Sequence, residues 1–129
     1  MKIKLETDSI YLILEKIKVG KFKMLVSKVH YVEILEIQEK EEKEELIQFL
    51  KIYGFEEKKL NSALIKKRIF ELEKMGFGLG DSAHLAFAEH FVDYLISVDS
   101  NLLKKYNKKV NGKMIALKPE EFIIKEGLL

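Results

Sequence analysis

The chain has 129 residues, of which 47% are hydrophobic and 34% are charged, and its formal net charge at pH 7 is +2. This composition is typical of one globular domain, and no apolar run reaches the roughly 20 residues that a membrane helix needs. The absence of cysteine excludes disulfides, thiolate metal sites and cysteine nucleophiles. The first residues lack the apolar core of a signal peptide, so we expect a cytoplasmic protein without a membrane-spanning segment.

The first 20 residues allow two interpretations. Apolar residues recur at helical spacing and Gly20 follows at a position suited to a helix C-terminus, which favours a helix from near Ile3 to Lys18. Alternatively, the alternation over Lys2–Glu6 is typical of a short strand that precedes a helix beginning at Ile10. We favour the single helix, because a central parallel strand is apolar on both faces and lysines occupy positions 2 and 4.

The next segment predicts a strand followed by a helix. Phe22–Val26 is a short apolar strand, and Ser27 is suited to cap a helix that runs to about Ile37. On that helix Glu33 projects from the flank of the apolar stripe. Glu33 is therefore either an ordinary exposed glutamate or a side chain directed toward a site.

Two amphipathic helices are predicted in the middle of the chain. The charged run Glu39–Lys43 leads into a helix over Leu46–Ile52 that ends at Gly54. Asn61 or Ser62 caps the second helix. The inward-facing residues of this helix are predicted to be Ala63, Ile65, Ile69, Leu72 and Met75, and its end is marked by Gly76 and Gly78.

The segment from Gly78 to Asp99 is the most informative part of the sequence. Asp81 follows two glycines at the start of a helix that is almost all apolar, so this helix is predicted to be buried. Val92–Val98 then has the β-branched and aromatic content of a strand. Asp99 comes directly after it, where an open α/β sheet places its ligand-binding edge. Asp81 and Asp99 are therefore predicted to be aimed at one place.

The remaining segments continue the alternation of helix and strand. A short helix is predicted over Asn101–Asn107 and a last strand over Met114–Leu117, and Pro119 occupies the favoured first position of a terminal helix. Strands that alternate with helices along the whole chain predict an α/β fold with a mostly parallel sheet. Residues 1–129 show no repeat, linker or second domain, so we expect a single domain.

Four segments of the chain carry a resemblance to a known family. Asp81–Glu89, Leu95–Lys105 and Ile115–Phe122 are similar to the C-terminal half of the PIN domain family, which includes VapC-type toxins and other metal-dependent ribonucleases. Leu25–Leu35 resembles that family's second strand and following helix. The resemblance runs from about Leu5 to Phe122, and it implies a PIN-like three-layer α/β/α fold.

The resemblance implies a metal site made of carboxylates. Glu33, Asp81 and Asp99 match the second, third and fourth acids of the family's catalytic tetrad. Ser97 matches the small hydroxyl residue beside the fourth acid, where it would contact substrate. In the family these acids bind Mg²⁺ or Mn²⁺, hard ions that prefer oxygen ligands, for the cleavage of RNA. We therefore expect these three acids to be catalytic and metal-binding, with RNA as the substrate.

The first acid of the tetrad has no clear match. In the family it ends the central strand of the sheet, and that strand is missing if this chain opens with a helix; Glu6 or Asp8 would have to replace the acid. Loss of a central strand leaves its two neighbours with unpaired backbone groups, which is unfavourable. Either the true start lies upstream, another chain fills the gap, or the protein is a degenerate relative.

Two function classes follow from the resemblance. The first is a Mg²⁺- or Mn²⁺-dependent endoribonuclease, the toxin of a toxin–antitoxin pair, with weak or absent activity because one acid is missing. The second is a non-catalytic PIN-like binding or regulatory scaffold. The protein partners implied are an antitoxin and a second copy of the chain in a homodimer. A serine hydrolase and a dinucleotide-binding enzyme are disfavoured, since neither Gly-x-Ser-x-Gly nor Gly-x-Gly-x-x-Gly occurs.

Lysine pairs and histidines are interpreted as structural features. The lysine pairs at positions 58–59, 66–67, 104–105 and 108–109 are capable of phosphate contact, but solvated helix faces explain them more simply. His84 lies three residues after Asp81 and is expected to have a hydrogen-bonded structural role. His30 and His90 have no second histidine at the spacing of a zinc site.

Overall fold

The part of the chain that the structure describes contains two parallel pairs of short strands and six helices. The computed structural model describes residues 2–26, 34–56 and 61–128. In chain order the elements are α1 (Lys2–Lys18), β1 (Met24–Leu25), α2 (Lys40–Tyr53), β2 (Gly54–Phe55), α3 (Ser62–Lys74), α4 (Leu79–Phe91), β3 (Tyr94–Ile96), α5 (Ser100–Lys109), β4 (Ile115–Leu117) and α6 (Pro119–Lys125). β1 pairs with β2 and β3 pairs with β4, each in parallel. The predicted α/β class with parallel pairing is therefore confirmed.

The chain divides into two compact units, each with one strand pair. Met1–Phe22 and Val92–Leu129 form the first unit, which contains α1, α5, α6 and the β3–β4 pair. Lys23–Phe91 forms the second unit, which contains α2, α3, α4 and the β1–β2 pair. The first unit is thus assembled from the two ends of the chain.

Helix α1 confirms the helical interpretation of the start of the chain. It runs continuously from Lys2 to Lys18, so the alternative strand over Lys2–Glu6 is wrong. Gly20 ends this region with φ at 82°, a left-handed conformation that glycine adopts without a steric penalty. Ile13 on α1 is 8% exposed and belongs to the core of the first unit.

One hydrophobic core cluster of the first unit is centred on α6. Its buried members are Ile13, Leu117, Phe122 and Ile123. The ring centroid of Phe122 lies 4.9 Å from that of Tyr94 on β3 and 5.2 Å from that of Phe22, both in edge-to-face geometry. Aromatic contacts therefore join α6 to the strand that precedes Asp99.

The β3–β4 pair has one edge that a side chain closes. Leu95 lies opposite Ala116, and the N–H of Ser97 donates to the carbonyl of Leu117 at 3.1 Å, which extends the ladder beyond β3. At the other edge of β4, the Asn107 side-chain amide on α5 donates to the carbonyl of Ala116 at 3.1 Å. This contact occupies an acceptor that would otherwise be open to another strand.

The surroundings of Tyr94 raise the pKa of its hydroxyl. Partial burial disfavours the phenolate, a hydrogen bond to the Glu126 carboxylate favours the protonated hydroxyl, and the charges of Glu126 and Asp93 act in the same direction. Because the neutral form of Tyr94 is favoured in the folded state, its contribution to the stability of the fold is present at neutral pH. It is lost as the pH rises through the folded-state pKa.

In the second unit, a glycine allows α2 to be followed directly by β2. Gly54 pairs with Met24, and the N–H of Val26 donates to the carbonyl of Phe55 at 2.9 Å. A Cβ atom on Gly54 would overlap the side chain of Val26 and the carbonyl of Leu50. The close approach of helix and strand therefore requires glycine at this position.

Helices α3 and α4 form the best-buried part of the second unit. Leu72 on α3 and Leu85 on α4 are both 0% exposed. Arg68 joins the two helices through a bidentate pair with Glu89, in which Nε lies 2.7 Å from Oε1 and Nη2 lies 3.1 Å from Oε2. The strongly apolar sequence of α4 thus has the buried position predicted for it.

Three details differ from the sequence predictions. The sequence does not predict β2. Glu39 is the N-cap of α2 and Lys40–Lys43 form its first turn, so this run is not a segment before the helix. The Glu39 carboxylate accepts hydrogen bonds from the N–H groups of Glu41 and Glu42. Ala63, predicted to face inward, is exposed in the first turn of α3. The predicted helix that begins at Ser27 falls largely outside the described residues.

Within the described residues, no helix is both long enough and apolar enough to cross a membrane.

Candidate functional site

Asp99 follows β3 after Ser97 and Val98, beyond the carboxyl end of this parallel strand. Its carboxylate is exposed, and Oδ1 accepts a hydrogen bond from the N–H of Leu102 at 3.1 Å, which makes Asp99 the N-cap of α5. The predicted location of Asp99 at the end of a strand is confirmed. Its role as a metal ligand stays a prediction.

Ser97 shapes the turn between β3 and α5. Its hydroxyl accepts a hydrogen bond from the N–H of Asp99 at 3.1 Å, while its own N–H pairs with the carbonyl of Leu117 at 3.1 Å. Ser97 is therefore bonded both to the sheet and to the residue that caps α5. This arrangement holds Asp99 in position, and the predicted contact of Ser97 with substrate remains a prediction.

Asp81 lies in the first turn of α4, with an exposed side chain. The turn that precedes it contains Gly76, whose φ is 100°, and Gly78, whose carbonyl accepts a hydrogen bond from the N–H of Ser82 at 2.8 Å. A carboxylate at this end of a helix interacts favourably with the unpaired N–H groups and the helix dipole. Asp81 thus occupies the helix start predicted for it, and it is accessible to a ligand.

The two candidates for the first acid, Glu6 and Asp8, do not lie at a strand end. Glu33 lies outside the described residues, so its predicted role stays a prediction. Asp8 is exposed on α1, and Glu6 also falls within α1. Neither residue follows a strand, as the first acid of the family's tetrad would.

Asp81 belongs to the second compact unit and Asp99 belongs to the first. Across residues 2–26, 34–56 and 61–128, no group of three histidine or acidic side chains is arranged to hold a metal ion. Because Glu33 is outside these ranges, the predicted set of three carboxylates stays a prediction.

A shallow depression of about 350 Å³ lies on α3 and α4. It is lined by Leu64, Lys67, Arg68, Glu71, Glu89 and His90. Arg68 is paired with Glu89 and also lies 3.5 Å from Glu71, so positive and negative side chains balance each other here. The sequence gives no local signal for the Arg68–Glu89 pair, because its partners are 21 residues apart. We interpret the depression as the surface around a structural ion pair.

Both described histidines lie on α4. Nδ1 of His90 lies 3.2 Å from the carbonyl of Ala86, one turn earlier on α4, which fits a ring N–H donating to the backbone. His84 is half-buried on the same helix. His30 is outside the described residues.

Comparisons with protein-family models, with curated proteins and with solved structures gave no significant match.

Proposed function

We propose that this chain is a PIN-like, Mg²⁺- or Mn²⁺-dependent endoribonuclease domain of low activity. The observation that carries the proposal is the position of Asp99, an exposed carboxylate in the turn that follows the carboxyl end of a parallel strand. Loops at this edge of an open α/β sheet are where such folds bind their ligands. The resemblance of residues 95–105 to the family adds the expectation that the ligand is RNA.

The donor set fits a hard divalent ion. Asp81 and Asp99 present exposed carboxylate oxygens, the ligand type that Mg²⁺ and Mn²⁺ prefer, and Glu33 would add a third. A bound ion supplies polarisation of the scissile phosphate and activation of water. In this proposal Ser97 orients the Asp99 turn and lies next to the path of the substrate.

The proposal also predicts low activity. Within residues 2–26, no acid lies at the end of a strand to serve as the first of the four, because α1 occupies Lys2–Lys18. One missing ligand leaves the ion and the attacking water less well placed, and a positional error of about 1 Å costs on the order of a hundredfold in rate. A three-layer α/β/α arrangement that lacks the family's central strand, a homodimer and a small antitoxin protein belong to the same proposal.

Cleavage of RNA under controlled metal conditions tests this function. We expect a labelled single-stranded RNA to be cut slowly by the purified chain when Mn²⁺ or Mg²⁺ is present, and not to be cut in excess chelator. Readdition of the metal should restore cleavage. Cleavage that persists in chelator would exclude the mechanism.

A non-catalytic scaffold is the second candidate, and one observation favours it. The Asp99 carboxylate caps α5, and Asp81 lies in the first turn of α4, so a structural role is sufficient to explain each acid. If no RNA is cut at any metal concentration by a folded sample, we would prefer the scaffold to the nuclease.

A further inference from the structure

Helix α5 begins immediately after Asp99 and carries a concentration of positive charge. Six lysines and no acidic residue occur from Ser100 to Pro119, although the whole chain has a net charge of only +2. The rest of the sequence is therefore net negative. The lysines of this segment are Lys104, Lys105, Lys108, Lys109, Lys113 and Lys118.

Of the lysines of α5, Lys104, Lys108 and Lys109 are exposed and Lys105 is half-buried. Leu103 and Tyr106 on the helix are 5% and 1% exposed, and they anchor it to the first unit. Lys104 and Lys108 are one helical turn apart, both exposed, and fall opposite these buried residues in an ideal helix. We use the term basic face of α5 for Lys104, Lys105, Lys108 and Lys109.

Charge is arranged differently on α3, which also carries two adjacent lysines. On α3, Lys66 and Lys67 are followed by Glu71 and Glu73, and Arg68 is paired with Glu89. Mixed charge of this kind is typical of an ordinary solvated face. The basic face of α5 has no acidic residue on its own helix, so solvation alone does not explain the segregation of charge.

We propose that the basic face of α5 binds the phosphate backbone of RNA. Closely spaced exposed lysines attract a chain of phosphates and release its counterions. At about 1.5 Å per helical residue, Lys104 and Lys108 follow Asp99 by about 7.5 and 13.5 Å along the helix axis. An RNA strand bound along this face therefore runs toward the Asp99 turn. The inference that the RNA strand runs toward a reacting phosphate rests on the proposed function. The inference that the basic face of α5 binds RNA does not.

The test is a binding titration in which cleavage cannot occur. A fluorescein-labelled 20-nucleotide oligouridylate is titrated with the chain in chelator at several salt concentrations, and its anisotropy gives Kd. The variant is Lys104→Gln with Lys108→Gln, and the matched control is Lys66→Gln with Lys67→Gln, two exposed lysines on α3. Circular dichroism checks that both double variants are folded.

We expect the α5 double variant to bind RNA more weakly than the parent chain. The slope of log Kd against log salt concentration should also be shallower by about 1.4, because each of the two lost phosphate contacts on a single strand contributes about 0.7 to this slope. The α3 double variant should bind as the parent chain does. An equal loss in both variants, or no loss in the α5 variant, would overturn the proposal. Binding of the parent chain to phosphatidylserine vesicles but not to RNA would overturn it as well.

The outcome is separate from that of the nuclease proposal. If RNA binding depends on Lys104 and Lys108 but no metal restores cleavage, the nuclease proposal fails and the phosphate-binding face stands. If RNA is cleaved and the α5 double variant binds and cleaves as the parent does, the phosphate-binding face fails instead.

Discussion

Replacing Asp99 by asparagine is expected to lower metal-dependent RNA cleavage by about a hundredfold or more, because it removes a charged ligand that places the ion and the attacking water. Asparagine caps helices about as well as aspartate, and its Oδ1 can still accept from the N–H of Leu102. The fold of α5 should therefore be retained. Initial rates of RNA cleavage at saturating Mn²⁺ measure the effect.

The matched control for this change is Asp93→Asn. Asp93 is also an exposed aspartate near β3. It precedes this strand, whereas Asp99 follows it. We expect Asp93→Asn to cleave within about twofold of the parent chain, since surface substitutions away from a site usually have small effects. Equal loss in the two variants, or full activity in Asp99→Asn, would be incompatible with a catalytic Asp99.

Ile123→Ala should strongly destabilise the fold. Ile123 is 4% exposed and belongs to the core cluster with Ile13, Leu117 and Phe122. Truncation of a buried isoleucine to alanine removes apolar contacts and leaves a cavity, at a cost of about 2 to 5 kcal/mol in the free energy of unfolding. Urea denaturation followed by circular dichroism measures this difference.

The neighbouring residue provides the control for the core change. Ile124 is chemically identical and on the same helix, but it is 69% exposed. Its replacement by alanine should change the free energy of unfolding by no more than about 0.5 kcal/mol. Similar losses for the two variants would show that the burial assigned to Ile123 does not describe the protein in solution.

The helix ends could be predicted because the residues that mark them act locally. Asn61 caps α3 through its own side chain, with Oδ1 accepting from the N–H of Leu64 at 3.2 Å. Pro119 begins α6, and Gly20 follows α1 with a positive φ. Each of these signals depends on a few adjacent residues, so the sequence contains the necessary information.

β2 could not be predicted, because Gly54 and Phe55 are too few to show an alternation of apolar and polar residues. They form a strand only through pairing with Met24 and Leu25, which are about 30 residues earlier in the sequence. Such pairing depends on how distant segments pack. For the same reason, the Arg68–Glu89 pair could not be predicted from the sequence.

The candidate site shows the same division between local and distant information. The position of Asp99 could be predicted because the apolar strand and the acid are adjacent in sequence. A shared metal site requires Glu33, Asp81 and Asp99 to approach one another from three separate segments, and no local pattern specifies such an approach.

A crystal structure grown with Mn²⁺ tests the central claim most directly. The nuclease proposal predicts an anomalous-scattering peak with carboxylate oxygens of Glu33, Asp81 and Asp99 around it, at coordination distances of about 2.0 to 2.6 Å. Crystals of Asp99→Asn grown in the same way should lose the peak or show it at much lower occupancy. A well-ordered structure in saturating Mn²⁺ with no peak at Asp99, and with Glu33 on the opposite face from Asp81, would contradict the account.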